Sequence, residues 1–182
     1  MILLFVGLAI TALMAYIIHQ LHFYLSPERF RQIVVPLIPM YLLINWVFTL
    51  FTRTPGEYPI VLVPLRAYIQ TLGWDIRSFA ELGQLLGGAW EVSATPSMVP
   101  LIGAAQNIVL FLPFGFLLSA ANKHTSTEKF LVLGFMLSLF IEACQLVFRL
   151  GWFEVDDILH NVLGTYLGIC LYRRTVKRSL SR

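Results

Sequence analysis

Glu142, Gln145 and Arg149 are separated by three and four positions, the spacing that places side chains on one face of a helix. They lie in or beside an apolar run, where a charge is costly enough to mark a partner or a function. A carboxylate at Glu142 can accept or donate a proton there; the alternative is a buried latch in which it pairs with a basic or amide group of a neighbouring helix. A second group opens the run EVDDILHN. Asp157, Asn161, Gly164 and Gly168 are spaced four, three and four apart and share a face. Gly164 and Gly168 permit close helix approach. Asp156 and Asp157 suit the positive end of a helix dipole as capping acids. No dedicated metal site is expected, although the two adjacent acids beside Glu154 offer oxygen ligands to a divalent cation. His160 reads as an interfacial side chain. A third group lies in NIVLFLPFGF, where Pro113 removes a backbone hydrogen bond and Gly115 follows two residues later. Carbonyls freed at membrane depth are satisfied by neighbours or line a cavity. Asn107 supplies an amide at nearly the depth of Glu142, and a kink there is expected with or without a site. Any catalysis would fall to Glu142 and Asp157, but there is no HExxH, no GxSxG and no His/Cys nucleophile arrangement.

The elements that must position these groups follow from composition. Of the 182 residues, 58% are apolar and 13% charged, and the mean hydropathy is +0.76. A soluble domain has about 25% charged residues, so there are too few here to cover a water-facing surface. The chain is read as an all-α integral membrane protein. A disordered chain, a disulfide scaffold and a nucleic-acid binder are excluded. Cys144 and Cys170 lie in apolar runs and read as small core hydrophobes.

Crossing the hydrocarbon core takes roughly 20 apolar residues. Five segments qualify, about Ile2–Phe23, Ile33–Phe51, Leu101–Ala121, Phe130–Phe148 and Ile158–Tyr172, so a bundle of about five transmembrane helices is predicted. A four-span version leaves the first segment at the interface. Between Ile76 and Trp90, the residues Ile76, Phe79, Leu82, Leu86 and Trp90 recur at helical spacing. They predict an amphipathic helix in the loop between the second and third spans, lying on the outer membrane surface or packed on the bundle. The organisation is then an N-terminal helix and loop (1–31), a core transmembrane domain (32–172) and a basic tail (173–182).

Orientation follows from the basic residues. With the N-terminus outside, the inner connections hold Arg29, Arg31, Lys123, Lys129 and the tail residues Arg173, Arg174, Lys177, Arg178 and Arg182. The outer ones hold Arg53, Arg66, Arg77 and Arg149. The N-terminus is therefore expected outside and the C-terminus in the cytoplasm. In that orientation Asn107, Glu142, Gln145, Arg149, Asp156, Asp157 and Asn161 all fall in the outer leaflet or at its surface, as a candidate ligand-binding cluster.

The segments NIVLFLPFGFLL, IEACQ and VDDILHNVLGTYLG resemble the VanZ-like family of bacterial membrane proteins, named for a protein associated with teicoplanin resistance. IVLVPLRAY resembles that family's short Pro-containing motif ahead of the third span, and the resemblance covers about residues 37–172. It implies a multi-pass cell-membrane protein of a family without an established biochemical activity. By position the family's signature residues are Asn107, Pro113, Gly115, Glu142, Gln145, Asp157, Asn161 and Gly164. The chain departs from the pattern where the family has an arginine shortly before the paired aspartates. Gly151 stands at that place, with Glu154 at the neighbouring acid and Arg149 two residues displaced as a substitute. The resulting expectation is an outward-facing polar pocket between the third, fourth and fifth spans. Glu142, Arg149 and Asp157 would engage the headgroup of a membrane lipid, a lipid-linked cell-wall precursor or a lipoglycopeptide, and no cofactor is expected. The alternatives are an intramembrane enzyme acting on a lipid-linked substrate and a structural partner in a membrane complex.

Overall fold

The computed structural model describes residues 2–51, 54–88, 95–122 and 124–180. Trp90, Arg53, Lys123 and Arg182, used above for the amphipathic stripe and the orientation, lie outside them. Five helices of 20 to 26 residues make the bundle: α1 (Ile2–Tyr24), α2 (Pro27–Trp46), α5 (Val99–Ala121), α6 (Thr127–Val147) and α7 (Val155–Leu180). Two short helices, α3 (Arg66–Thr71) and α4 (Phe79–Leu86), lie in the connection between α2 and α5. Among the described residues, three segments are long and apolar enough to cross a membrane: Pro27–Leu50, Val99–Ala121 and Thr127–Val147. Their outward faces carry exposed Leu43, Ile44, Val132, Phe135, Met136 and Phe140, a surface suited to lipid rather than water. The chain is a helical membrane protein.

Helix α5 is the centre. Its N-terminal half meets α3, and along its length it packs on α1, α2, α6 and, most extensively, α7. The α5–α7 crossing is set by glycine: a Cβ at Gly115 would strike the Thr165 carbonyl, one at Gly164 the Ile108 carbonyl, and one at Gly168 the Leu112 carbonyl. Backbone thus lies directly on backbone, the approach that small residues permit between membrane helices. Pro113 is buried within α5, and the helix continues through it. Ile18, Phe30, Val34, Phe116, Leu117, Ala120 and Tyr172 form one apolar cluster that ties α1 and α2 to this crossing. Phe111, Phe114 and Ile141 form a second, between α5 and α6.

Three features differ from the pattern-based expectation. The amphipathic segment is shorter, because a capping box between Ser78 and Glu81 starts α4 at Phe79, and Gly87 with Gly88, at φ +74°, ends it. Ile76 lies before the helix and is buried, whereas Phe79 and Leu86 are 62% and 80% exposed and Leu82 between them is half-buried. Helix α7 runs from Val155 to Leu180, beyond both ends of the apolar span Ile158–Tyr172, with both aspartates in its first turn, where the sequence placed them. Finally, a parallel ladder of two residues each joins β1 (Ile60–Val61) to β2 (Phe153–Glu154). Four-residue ladders of this size carry no periodicity for a sequence reading to find.

Candidate functional site

The β1–β2 ladder brings the α2–α5 connection to the start of α7, and a web of charges locks it there. Asp156 accepts from the Leu65 amide at 2.5 Å through Oδ1 and from the Ala67 amide at 2.9 Å through Oδ2. One carboxylate thereby caps the turn that begins α3, where Leu65 takes a left-handed φ of +62°. The guanidinium of Arg66 donates to Glu154 Oε1 and to Asp75 Oδ1, both at 2.6 Å, and lies 4.7 Å above the Trp152 ring. Arg66 is buried. Asp75 is partly shielded from water, which works to raise its pKa, but hydrogen bonds from Arg77 and Arg66 outweigh that effect and hold it below the ordinary aspartate value. The hydrogen bond to Asp75 in turn raises the pKa of Arg77. Tyr68 Oη lies 3.1 Å from His160 Nε2, one turn further along α7.

Beside this web is a cavity of about 420 Å³. Arg66, Ala67 and Gln70 of α3 form one wall, Gly103, Gln106 and Asn107 of α5 another, and Glu154, Asp156, Asp157 and His160 of the α7 start a third. Its size falls within the range of small-molecule pockets.

The family model described as VanZ/LLP1 matches residues 11–177. The chain belongs to that family. The match begins within α1 and runs into the last turns of α7. Among curated proteins, the chain is similar to Protein VanZ of Enterococcus faecium, at 33% identity over 67 residues, or 37% of this chain. That stretch is 42% of the length of the Enterococcus protein, so the chain spans less than half of the curated relative it matches. No solved structure matches it.

The VanZ/LLP1 residues singled out by spacing separate into three places. Asn107, Asp156 and Asp157 line the cavity. Glu142, Gln145 and Asn161 are buried between helices, exposed by 2%, 1% and 4%, and are not among the cavity's lining residues. Each has a structural partner there. Glu142 Oε2 accepts from the Glu154 amide at 3.1 Å, and Asn161 Nδ2 donates to Ser138 Oγ at 2.8 Å. Gln145 Nε2 donates to the Thr49 carbonyl at 3.2 Å, which lies in a single π-helical turn, Val47–Phe51, that follows α2. Such a turn disturbs the helical ladder and leaves backbone groups to be met from outside.

Arg149 is in the third place. The expectation that it shares a face with Glu142 assumed that α6 continues to residue 149, but the helix ends at Val147. Arg149 takes a φ of +54°, and the Leu150 amide donates back to the Gln145 carbonyl at 2.8 Å, a helix-terminating motif that favours glycine at its left-handed residue. The side chain of Arg149 is exposed and lines a separate hollow of about 240 Å³ with Gly56, Glu57 and Tyr58. The cation beside the paired aspartates is Arg66, which the sequence reading counted as a loop charge only. It sits inside IVLVPLRAY, and a charge within that apolar motif was the available signal. Among the described residues no three His, Cys, Asp or Glu side chains are grouped to hold a metal ion, and both oxygens of Asp156 are engaged by amides.

Proposed function

We propose that this VanZ/LLP1 member crosses the membrane five times, with the N-terminus outside and the C-terminus in the cytoplasm. At its outer face it binds or shields a lipid-linked cell-envelope molecule, and so contributes to resistance to glycopeptides and lipoglycopeptides of the teicoplanin type. The observation that carries this reading is the cavity lined by Asn107, Asp157 and His160 at one end of the bundle.

Segregation of the basic residues supports the orientation. Arg29, Arg31, Lys129, Arg173 and Arg174 belong to the end opposite the cavity, where Arg173 donates to Thr127 at 2.8 Å, and such clusters favour the cytoplasmic side. The first four turns of α1, a helix of 23 residues, which are apolar but for Thr11, and the 26-residue length of α7 support counting both with the other three spans. Helix α4, with Phe79 and Leu86 uncovered, then rests in the outer interface. The ligand is held by Asp157 and Asn107 in this reading, while Arg149, in its separate hollow, takes no part.

The test is drug susceptibility in a deletion strain complemented with wild type or Asp157→Asn, with membrane levels measured alongside. The expected result is normal abundance with resistance lost. A variant that accumulates and restores resistance fully would show that the cavity is not the site, and one that fails to accumulate would assign Asp157 to packing.

A further inference from the structure

The polar groups left unengaged on the cavity wall are neutral ones. Its charged groups already hold one another: Arg66 lies between Glu154 and Asp75, and Asp156 is taken by the Leu65 and Ala67 amides. Asp157 also has a partner within the chain. Gln70 of α3 and Gln106 and Asn107 of α5 line the same cavity, and among the described residues their side chains make no hydrogen bond. All three are half-buried. Asn107 stands about two turns inside a helix long and apolar enough to cross the membrane. A polar side chain at that depth faces a partner or a water-filled cavity, and its amide is costly to desolvate without a hydrogen bond. Gly103 lies one turn before Asn107 and also lines the cavity. A Cβ at Gly103 would meet nothing within 4 Å, so the glycine leaves open a space that a side chain would occupy. Two helices thus bring three uncharged amides and a glycine to one opening. Each amide both donates and accepts, as a hydroxyl does, whereas an ammonium only donates and phosphate almost wholly accepts.

We propose that the cavity recognises an uncharged sugar on the headgroup of an envelope molecule, held by Gln70, Gln106 and Asn107 over the space that Gly103 leaves. This rests on the reading of the cavity as a ligand site and names the chemistry of its ligand. A carboxylate has about four acceptor positions, so Asp157 accepts from one hydroxyl beside its internal contact. Such a sugar can be an acetamido sugar of a lipid-linked wall precursor or a plain hexose of a neutral glycolipid.

The experiment uses the full chain in nanodiscs of phosphatidylcholine, whose headgroup has no hydroxyl and no N–H. N-acetylglucosamine, glucose, ethanolamine, inorganic phosphate and the blocked peptide unit N-acetylalaninamide are titrated at pH 7, at low and high salt, with binding read by calorimetry. The better sugar is expected to bind at least about tenfold more tightly than the other three probes, because a site built to hydrogen-bond hydroxyls rejects guests that lack them. Its affinity should not change with salt, since no ion pair forms. Gln106→Leu should weaken it about fivefold, the loss of one neutral hydrogen bond. Gly103→Leu, which fills the opening and improves the helix, should abolish binding with Tm no lower than wild type. Binding of N-acetylglucosamine alone assigns the sugar to a wall precursor, and equal binding of glucose assigns it to a glycolipid. Ethanolamine, phosphate or the peptide unit binding as tightly as the better sugar would overturn the sugar proposal and leave the cavity as a ligand site. Sugar binding that persists in Gly103→Leu would overturn it too, by placing the sugar elsewhere. If no probe binds, both the proposal and the ligand-site reading fail. Should Gly103→Leu not fold, Gln106→Leu and the ranking of probes on the wild-type chain still decide the matter.

Discussion

Arg66 is the residue whose removal should cost most at the cavity end. It is 6% exposed and makes two charge-assisted hydrogen bonds of 2.6 Å, to side chains of Asp75 and Glu154 that are 22% and 25% exposed. A hydrogen bond to a charged group contributes about 1.5–3 kcal/mol. Because water can partly replace the guanidinium at both carboxylates, the lower figure applies to each, and the stacking on Trp152 adds about 0.5–1 kcal/mol. Arg66→Gln should therefore destabilise the protein by about 3.5–4 kcal/mol, within the range for breaking a buried ion pair. For a chain of this size that corresponds to a fall of roughly 7–16 °C in Tm. Thermal unfolding in detergent, followed by tryptophan fluorescence, reads it directly because Trp152 lies under the guanidinium. The control is Arg149→Gln, whose exposed side chain makes no ion pair among the described residues and should change stability by no more than about 0.5 kcal/mol. An Arg66→Gln protein melting within a degree of wild type, or an Arg149→Gln protein falling as far, would refute the assignment of Arg66 as the cation of the site.

Other expectations follow from single contacts. Gly115→Ala places a Cβ against the Thr165 backbone and should cost about 1–3 kcal/mol as overpacking, whereas Gly83→Ala, where a Cβ meets nothing, should stabilise α4 by about 0.5–1 kcal/mol; the two Tm shifts should have opposite signs. Arg149→Gly relieves a left-handed residue at φ +54° and should raise stability by about 1 kcal/mol without loss of resistance, an outcome incompatible with a ligand contact by that side chain. The pKa of Asp75 is lowered from 3.8, so the stability it confers is fully present above about pH 4 and is lost as pH falls through the lowered value. Measured from pH 6 to 2, the Tm gap between wild type and Asp75→Asn should close at the acid end, and a gap that stays constant would remove Asp75 from the acid response.

The long helices were legible because their signal is local. A run of about 20 apolar residues reports its own burial in lipid, and glycines four apart on one face report a close crossing. The same local logic found Asp157 and Asn161 on α7. Of the two, only Asp157 lines the cavity; Asn161, about one turn further on, meets Ser138 of α6 instead. Spacing establishes that residues share a face but not which neighbour that face meets: His160, one residue before Asn161, still lines the cavity.

The two arginines show where such reasoning stops, and for different physical reasons. Placing Arg149 beside Glu142 extended a helical period past the residue at which the helix ends. Nothing in the apolar pattern marks that end, since a left-handed terminus normally declares itself by glycine and here an arginine takes the position. Arg66 was hidden by distance along the chain. Its partners Glu154 and Asp75 stand 88 and nine residues away, joined by a two-residue ladder and by one carboxylate capping the Leu65 turn. The contact is nonetheless implied by cost: a guanidinium inside the apolar motif IVLVPLRAY must find carboxylates or leave the membrane environment. Among the described residues, acids stand both in the same connection (Glu57, Asp75 and Glu81) and at the start of α7 (Glu154, Asp156 and Asp157). An unexplained charge in an apolar loop motif is therefore best sought against acids that spacing has left without a partner, however far away in sequence they lie.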